Sequence, residues 1–188
     1  MIPDDQWRPK ANPYIVGASV ALATFMQVLD TTIVSVAMPH MAGSLSATPE
    51  EATWVLTSYL VANAIVLPAS GWLALRFGRK RLMLVCTALF TVASFLCGIA
   101  PSMTFLILAR ILQGATGGAL QPLTQAILLE SFPPARRGMA MALFGVVIIV
   151  APVIGPTLGG WLTDSYSWRW VFYINIPVGI LSFTMAKL

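Results

Sequence analysis

The stretch GVVIIVAPVIGPTLGGWL, Gly145 to Leu162, decides how this 188-residue chain is read. It is apolar enough to sit in a membrane, yet it holds four glycines and two prolines, residues that weaken a helix in water. In lipid the balance changes. Lipid tails are as apolar as leucine, so helices gain little from hydrophobic attraction and associate through close backbone approach, which small residues allow. At about 100° per residue, Gly145, Pro152, Gly155, Pro156, Gly159 and Thr163 fall within an arc of about 100°. The helix breakers therefore make one smooth stripe, with a GxxxG at Gly155 and Gly159. Neighbouring helices can resatisfy the backbone groups that prolines free. A helix of this kind can bend and slide, so the stripe reads as an interface that moves; a static close-packed face is the alternative.

Composition agrees with a bilayer. Apolar residues make up 57% of the chain and charged residues 10%, with a mean hydropathy of +0.81. Soluble domains carry about 45–50% and about 25%. Six apolar runs are long enough to cross the hydrocarbon core, which needs about 20 residues: 14–38, 53–75, 82–100, 103–130, 138–163 and 170–187. The expected fold is therefore all-α, with a short N-terminal segment, 1–13, before a six-helix domain, 14–188. The first run is too long for a signal-peptide core and contains Asp30, so it reads as a retained span.

The net charge of +4 is a matter of topology. Arg8 and Lys10 precede the first span. Arg76, Arg79, Lys80 and Arg81 lie between the second and third, Arg136 and Arg137 between the fourth and fifth, and Lys187 ends the sixth. The gaps on the other side carry only Arg169. By the positive-inside rule both termini are cytoplasmic. This distribution argues against a nucleic-acid partner. The two cysteines, Cys86 and Cys97, are eleven residues apart on one helix, about 16 Å, too far for a disulfide. One His and no CxxC or HExxH pattern leave no metal site, and no nucleophile–base pair supports an intramembrane enzyme.

Polar side chains inside the spans are informative because lipid has no use for them. In the fourth span Arg110, Gln113, Gly114, Gly117, Gln121, Thr124 and Gln125 share an arc of about 120°. In the first, Thr24, Gln27, Thr31 and Ser35 share about 80°, with Asp30 about 60° beyond Gln27. Tyr59, Asn63 and Ser70 share a face of the second. These stripes read as walls of a hydrated cavity, against the alternative of interhelical hydrogen bonding. Asp30 and Arg110 are the costliest residues, since a charge at the bilayer centre costs about 2.5–3.5 kcal/mol on insertion scales. Counted along antiparallel helices, both lie about 20 Å from the cytoplasmic edge. They are expected to pair, directly or through water, with Asp30 exchanging protons and Arg110 setting its proton affinity. A static structural pair is the alternative.

Several motifs stand in register. APVIGPTLGG (151–160) resembles the antiporter motif of the major facilitator superfamily, carried here by Pro152, Gly155, Pro156, Gly159 and Gly160. GWLALRFGRK (71–80) resembles that family's loop between helices two and three, and RILQGATGGA (110–119) its helix-four motif. LDTTIVSVAMP (29–39) and WRWVFYINIPVG (168–179) are similar to the first and sixth helices of its 14-helix drug:proton antiporters, the EmrB/QacA group. The resemblance covers almost the whole chain. It implies one six-helix half of a transporter, built as a 3+3 inverted repeat. It further implies export of lipophilic small molecules across the bacterial inner membrane by alternating access, with the proton gradient as energy source and no cofactor. Helix five would then lie at the interface with the second half. In the loop, Gly71 and Gly78 would permit a tight turn, with Arg76, Arg79 and Lys80 at a cytoplasmic gate and Glu130 as their partner. Leu75 stands where the family usually has an acid, which removes the usual acid-mediated gate contact.

The resemblance also implies partners: membrane lipid, a periplasmic adaptor and an outer-membrane duct. A C-terminal half, or a second copy in a parallel dimer, would complete the cavity. A non-transporting module that binds ligands or a subunit is the competing reading, and proton-dependent flux separates the two. The charge distribution generates a prediction of its own: in intact cells a membrane-impermeant maleimide labels Ser102→Cys but not Arg81→Cys, and the reverse pattern would invert the topology.

Overall fold

The computed structural model describes residues 12–187, so most of the expected segment 1–13 lies outside the described residues. Six long apolar helices fill the rest: α1 Pro13–Ser44, α2 Pro49–Phe77, α3 Arg79–Gly98, α4 Met103–Ser131, α5 Pro134–Ser165 and α6 Trp170–Lys187. Among the described residues there is no strand.

Helix ends extend past the apolar runs because caps are polar. Asn12 accepts the Tyr14 N–H at 3.0 Å ahead of Pro13, a residue suited to the first helical position. α2 starts at Pro49, four residues before its apolar run. Thr48 and Glu51 form a reciprocal capping box, at 3.2 and 2.8 Å, and the acids Glu50 and Glu51 sit in the first turn, where the helix dipole favours them. α2 and α3 are joined by Gly78 alone, at φ +84°, a value that favours glycine. The expected role of Gly71 in this turn is corrected: Gly71 lies inside α2 with open space around it. One left-handed residue suffices to reverse the chain. At the opposite end, Arg169 donates to the carbonyls of Gly98 and Ala100 at 2.7 and 2.8 Å, which ties α6 to the C-terminus of α3.

Two helices are interrupted, each at a proline. α4 consists of regular segments Met103–Gly117 and Leu120–Ser131, and Pro122 cannot donate to the Gly118 carbonyl. α6 consists of Trp170–Tyr173 and Asn175–Lys187, and Pro177 cannot donate to the Tyr173 carbonyl. α5 opens with a 3-10 turn, Pro134–Arg136, and absorbs Pro152 and Pro156 without a break.

Packing follows an internal symmetry. α1 lies closest to α5 and α4 to α2, while α1 also packs on α6 and α4 on α3. Exchanging helices one to three for four to six maps this pairing onto itself, as two inverted three-helix repeats require. Both close contacts use the same device. A Cβ at Gly155 would collide with the Thr32 side chain and one at Gly159 would come within 2.9 Å of Ile33, both on α1. A Cβ at Gly114 would collide with the Tyr59 backbone carbonyl, and one at Gly118 with that of Asn63, both on α2. The helix-five stripe, expected as a single moving interface, therefore divides. Gly155 and Gly159 are buried against α1 within this bundle and Thr163 is buried beside them, whereas Pro156 is exposed and Gly145 meets open space.

Two apolar clusters stack along the helices. One contains Ile33, Val55, Cys97, Ala109 and Phe172; the other contains Met26, Tyr59, Phe90 and Ala119. On α1, α3 and α4 the change from one cluster to the other brackets a short stretch of helix, and these stretches carry Asp30, Ser94, Arg110 and Gln113. The glycine contacts generate a clear test. Gly114→Val destabilises by about 1–3 kcal/mol through overpacking, whereas Gly145→Ala is neutral or stabilises by about 0.5–1 kcal/mol, read from unfolding in mixed micelles.

Candidate functional site

Asp30 on α1 and Arg110 on α4 are both fully buried, at 0% exposure. They pair directly: Arg110 Nη1 donates to Asp30 Oδ2 at 2.5 Å. The other carboxylate oxygen, Oδ1, accepts from Gln113 Nε2 at 3.0 Å and from Asn175 Nδ2 at 2.8 Å. Every partner of Asp30 among the described residues is thus a donor.

The guanidinium is held on several sides. Its Nε donates to the Val55 carbonyl of α2 at 3.0 Å and its Nη1 also donates to Gln113 Oε1 at 2.8 Å. The Tyr59 ring lies 4.1 Å from its central carbon and the Phe172 ring 5.8 Å, distances at which an aromatic face attracts a cation. Gln113 is fixed in turn, because Oε1 also accepts from Cys97 Sγ at 3.5 Å. Asn175 donates to Ser94 Oγ at 2.9 Å, and Ser94 donates to the Phe172 carbonyl at 2.9 Å. The network draws on α1, α2, α3, α4 and α6. A buried pair stripped of one partner leaves an uncompensated charge, which is why so many groups converge here.

The polar stripes have mixed fates. Thr24 donates to Thr124 at 2.8 Å, and Thr124 to the Val20 carbonyl at 3.1 Å, so this pair joins α1 to α4. Gln27 donates to the Tyr59 hydroxyl at 3.2 Å. Thr31 is half-buried and bonds carbonyls of its own helix. Asn63 and Gln121 are half-buried, and Gln125 is exposed. None of these lines the cavity of about 600 Å³ that lies among the α1 start and the ends of α3, α4 and α6 that carry Arg79, Lys80 and Glu130. Thr24, Gln27 and Gln113 thus act as interhelical hydrogen-bonding groups. At that end Arg79 pairs with Glu130 across α3 and α4, and Lys80 reaches the Lys187 carbonyl at 3.3 Å. Arg76 and Leu75 are exposed at the end of α2, and Gly160 and Pro152 are half-buried on α5.

Residues 20–188 match the sequence pattern of the Major Facilitator Superfamily. The chain belongs to that superfamily. It is 54% identical over 162 residues to the multidrug export protein EmrB of Haemophilus influenzae, an alignment covering 86% of this chain and 32% of the relative. It is 51% identical to the fatty acid resistance protein FarB of Neisseria gonorrhoeae, over 89% of this chain and 33% of the relative. Its fold matches the crystal structure of the peptide transporter POT in complex with sulfate, with a TM-score of 0.81 at 17% identity, over 100% of this chain and 41% of that one. The chain spans about a third of the length of these two export and resistance proteins. Superfamily members are transporters rather than enzymes, and the six apolar helices make this a multi-pass inner-membrane protein.

Asn175 and Ser94 are site groups that periodicity did not single out, whereas Tyr59, expected on a polar face of the second span, meets Arg110 with its ring and Gln27 with its hydroxyl. Asn175 is a lone amide in the apolar run WRWVFYINIPVG, directly before Ile-Pro, and that isolation was its one visible signal. Arg110→Met destabilises the fold by about 3–5 kcal/mol, the cost of stranding a buried carboxylate. The double variant Asp30→Asn/Arg110→Met recovers most of that loss in mixed-micelle unfolding.

Proposed function

We propose that this chain forms part of an exporter of lipophilic drugs or toxic amphiphiles, with proton entry driving substrate exit through alternating access. One observation carries the reading: a carboxylate and a guanidinium, both fully buried, meet at the boundary between two apolar clusters in a member of a transport family. An intramembrane ionisable pair is a functional site by default. The relatives bear the names multidrug export and fatty acid resistance, which supports amphiphilic cargo.

In this reading Asp30 exchanges protons with water on one side of the membrane or the other, and Arg110 sets its proton affinity. Gln113 orients both partners, since its amide bonds the carboxylate and the guanidinium at once. Moving α1 against α4 would part the pair and change the proton affinity of Asp30. Alternating access supplies such a motion, because the substrate lies between two halves that rock against each other. The opposing wall is then a further six-helix unit, from a C-terminal half or a second copy. Both termini face the cytoplasm in this reading, and the Arg79–Glu130 pair at the end of the bundle that carries them contributes to a gate. As an exposed pair it is individually weak, which suits a contact that must open. A periplasmic adaptor and an outer-membrane channel complete the export route.

The test uses the natural protein in proteoliposomes. Asp30→Asn abolishes dye transport driven by an imposed proton gradient while dye binding survives. Undiminished proton-driven transport in that variant would overturn the reading.

A further inference from the structure

Asp30 is bonded by two carboxamides, and they are not equivalent. Gln113 has its orientation locked. Its Nε2 donates to Asp30 Oδ1, while its Oε1 accepts from Arg110 Nη1 at 2.8 Å. Inverting that amide would set its NH2 group against the guanidinium, donor facing donor. Asn175 has no such lock. Its Nδ2 donates to Asp30 Oδ1 at 2.8 Å and to Ser94 Oγ at 2.9 Å, but its Oδ1 is buried and has no partner among the described residues. Ser94 does not decide the matter, because a hydroxyl donates or accepts as needed. Gln27 Oε1 is also buried and unpartnered, but the Gln27 amide goes to Tyr59 and makes no hydrogen bond to Asp30.

The hydrogen-bond inventory constrains where a proton on Asp30 can sit. Oδ2 is held by Arg110, so the proton goes to Oδ1. The other titratable groups nearby are Tyr59 of α2, stacked on Arg110, and Cys97 of α3, which bonds Gln113. Among the partners of Asp30, Arg110, Gln113 and Asn175 all present N–H groups. A new O–H at Oδ1 would therefore confront donors. A half-turn about the Cβ–Cγ bond of Asn175 removes the conflict, because it brings the unpartnered Oδ1 to the place now held by Nδ2.

We propose that Asn175 is a positioning residue that reads the protonation of Asp30 by inverting its carboxamide: Nδ2 donates to the carboxylate, and Oδ1 accepts from the carboxylic acid. The inference rests on the reading of Asp30 as a proton-exchanging group. It gives protonation a route into α6. After inversion Oδ1 faces Ser94, whose O–H then has a choice between that oxygen and the Phe172 carbonyl it now serves. Phe172 lies in the short first turn of α6, next to the break at Ile174, where Pro177 already deprives the Tyr173 carbonyl of its helical donor. A bond released at Phe172 would loosen the join between the two segments of α6.

The test is infrared difference spectroscopy on the natural protein in nanodiscs, titrated from neutral to acidic pH, with asparagine carrying carbon-13 at Cγ. In the wild type, a carboxylic-acid band from Asp30 appears on acidification and is absent in Asp30→Asn. With the same midpoint, an isotope-shifted asparagine carbonyl band moves, and that movement is lost in both Asn175→Ser and Asp30→Asn. An Asp30 band that titrates with no accompanying asparagine change would overturn the inversion and leave proton exchange standing. Absence of any titrating Asp30 band would remove proton exchange itself, and the inversion with it. If Asn175→Ser does not fold, comparison of labelled wild type with Asp30→Asn still decides between these results.

Discussion

The contact between Arg110 and Asp30 governs this bundle. A carboxyl group and a guanidinium lie together at 0% exposure, inside a chain built from apolar spans. A pair of this kind is tolerable only when nearly every lone pair and proton finds a partner, because desolvation rivals the mutual attraction. That demand explains the neighbours: Gln113 beside both charges, the Val55 carbonyl on Nε, the Tyr59 ring over the guanidinium, and Asn175 on the second carboxylate oxygen; Arg110 Nη2 is the exception, buried with no hydrogen-bond partner among the described residues. Five helices must hold their places for the network to close. The same contacts that neutralise the charges therefore fix the relative depth and rotation of most of the bundle.

Close approach is the second requirement, and glycine supplies it. The pairs α1 with α5 and α2 with α4 are equivalent under the internal symmetry, and each is built on a GxxxG face pressed against its partner's backbone or a β-branched side chain. These contacts set how near α4 comes to α2, and so bring the Val55 carbonyl and the Tyr59 ring to Arg110. Gly114 follows Gln113 in sequence, so the residue that admits Tyr59 and the residue that bonds Asp30 belong to one turn of α4. Packing and electrostatics are joined there at adjacent positions.

Hydropathy and charge placement made the six spans legible, because bilayer thickness demands a run of apolar residues whatever the fold. Helix ends were less legible. Thr48, Glu50 and Glu51 are polar and drop out of an apolar window, yet they form the cap and first turn of α2. The matched depths of Asp30 and Arg110 followed from rise per residue alone, since antiparallel helices share one ruler. The polar stripes were visible as faces, but their roles were not. Thr24 and Gln27 are bonded to neighbouring helices, whereas Gln125 on the same kind of stripe is exposed. Periodicity reports direction from an axis and carries no information about what stands opposite.

By itself the sequence determined the membrane class, the number and alternation of the spans, the family, and the presence of two charges at one depth. Each follows from properties that act along the chain: hydropathy, charge order, motif spacing and helical rise. Only the tertiary structure decided that helix-five glycines face α1 inside the bundle, that Gly71 takes no part in the turn, and that Asn175 reaches Asp30 from 145 residues away. Those facts depend on how six helices rotate about their own axes. Rotation is settled collectively, by closing a buried hydrogen-bond network and fitting glycine faces together, and no local pattern encodes it.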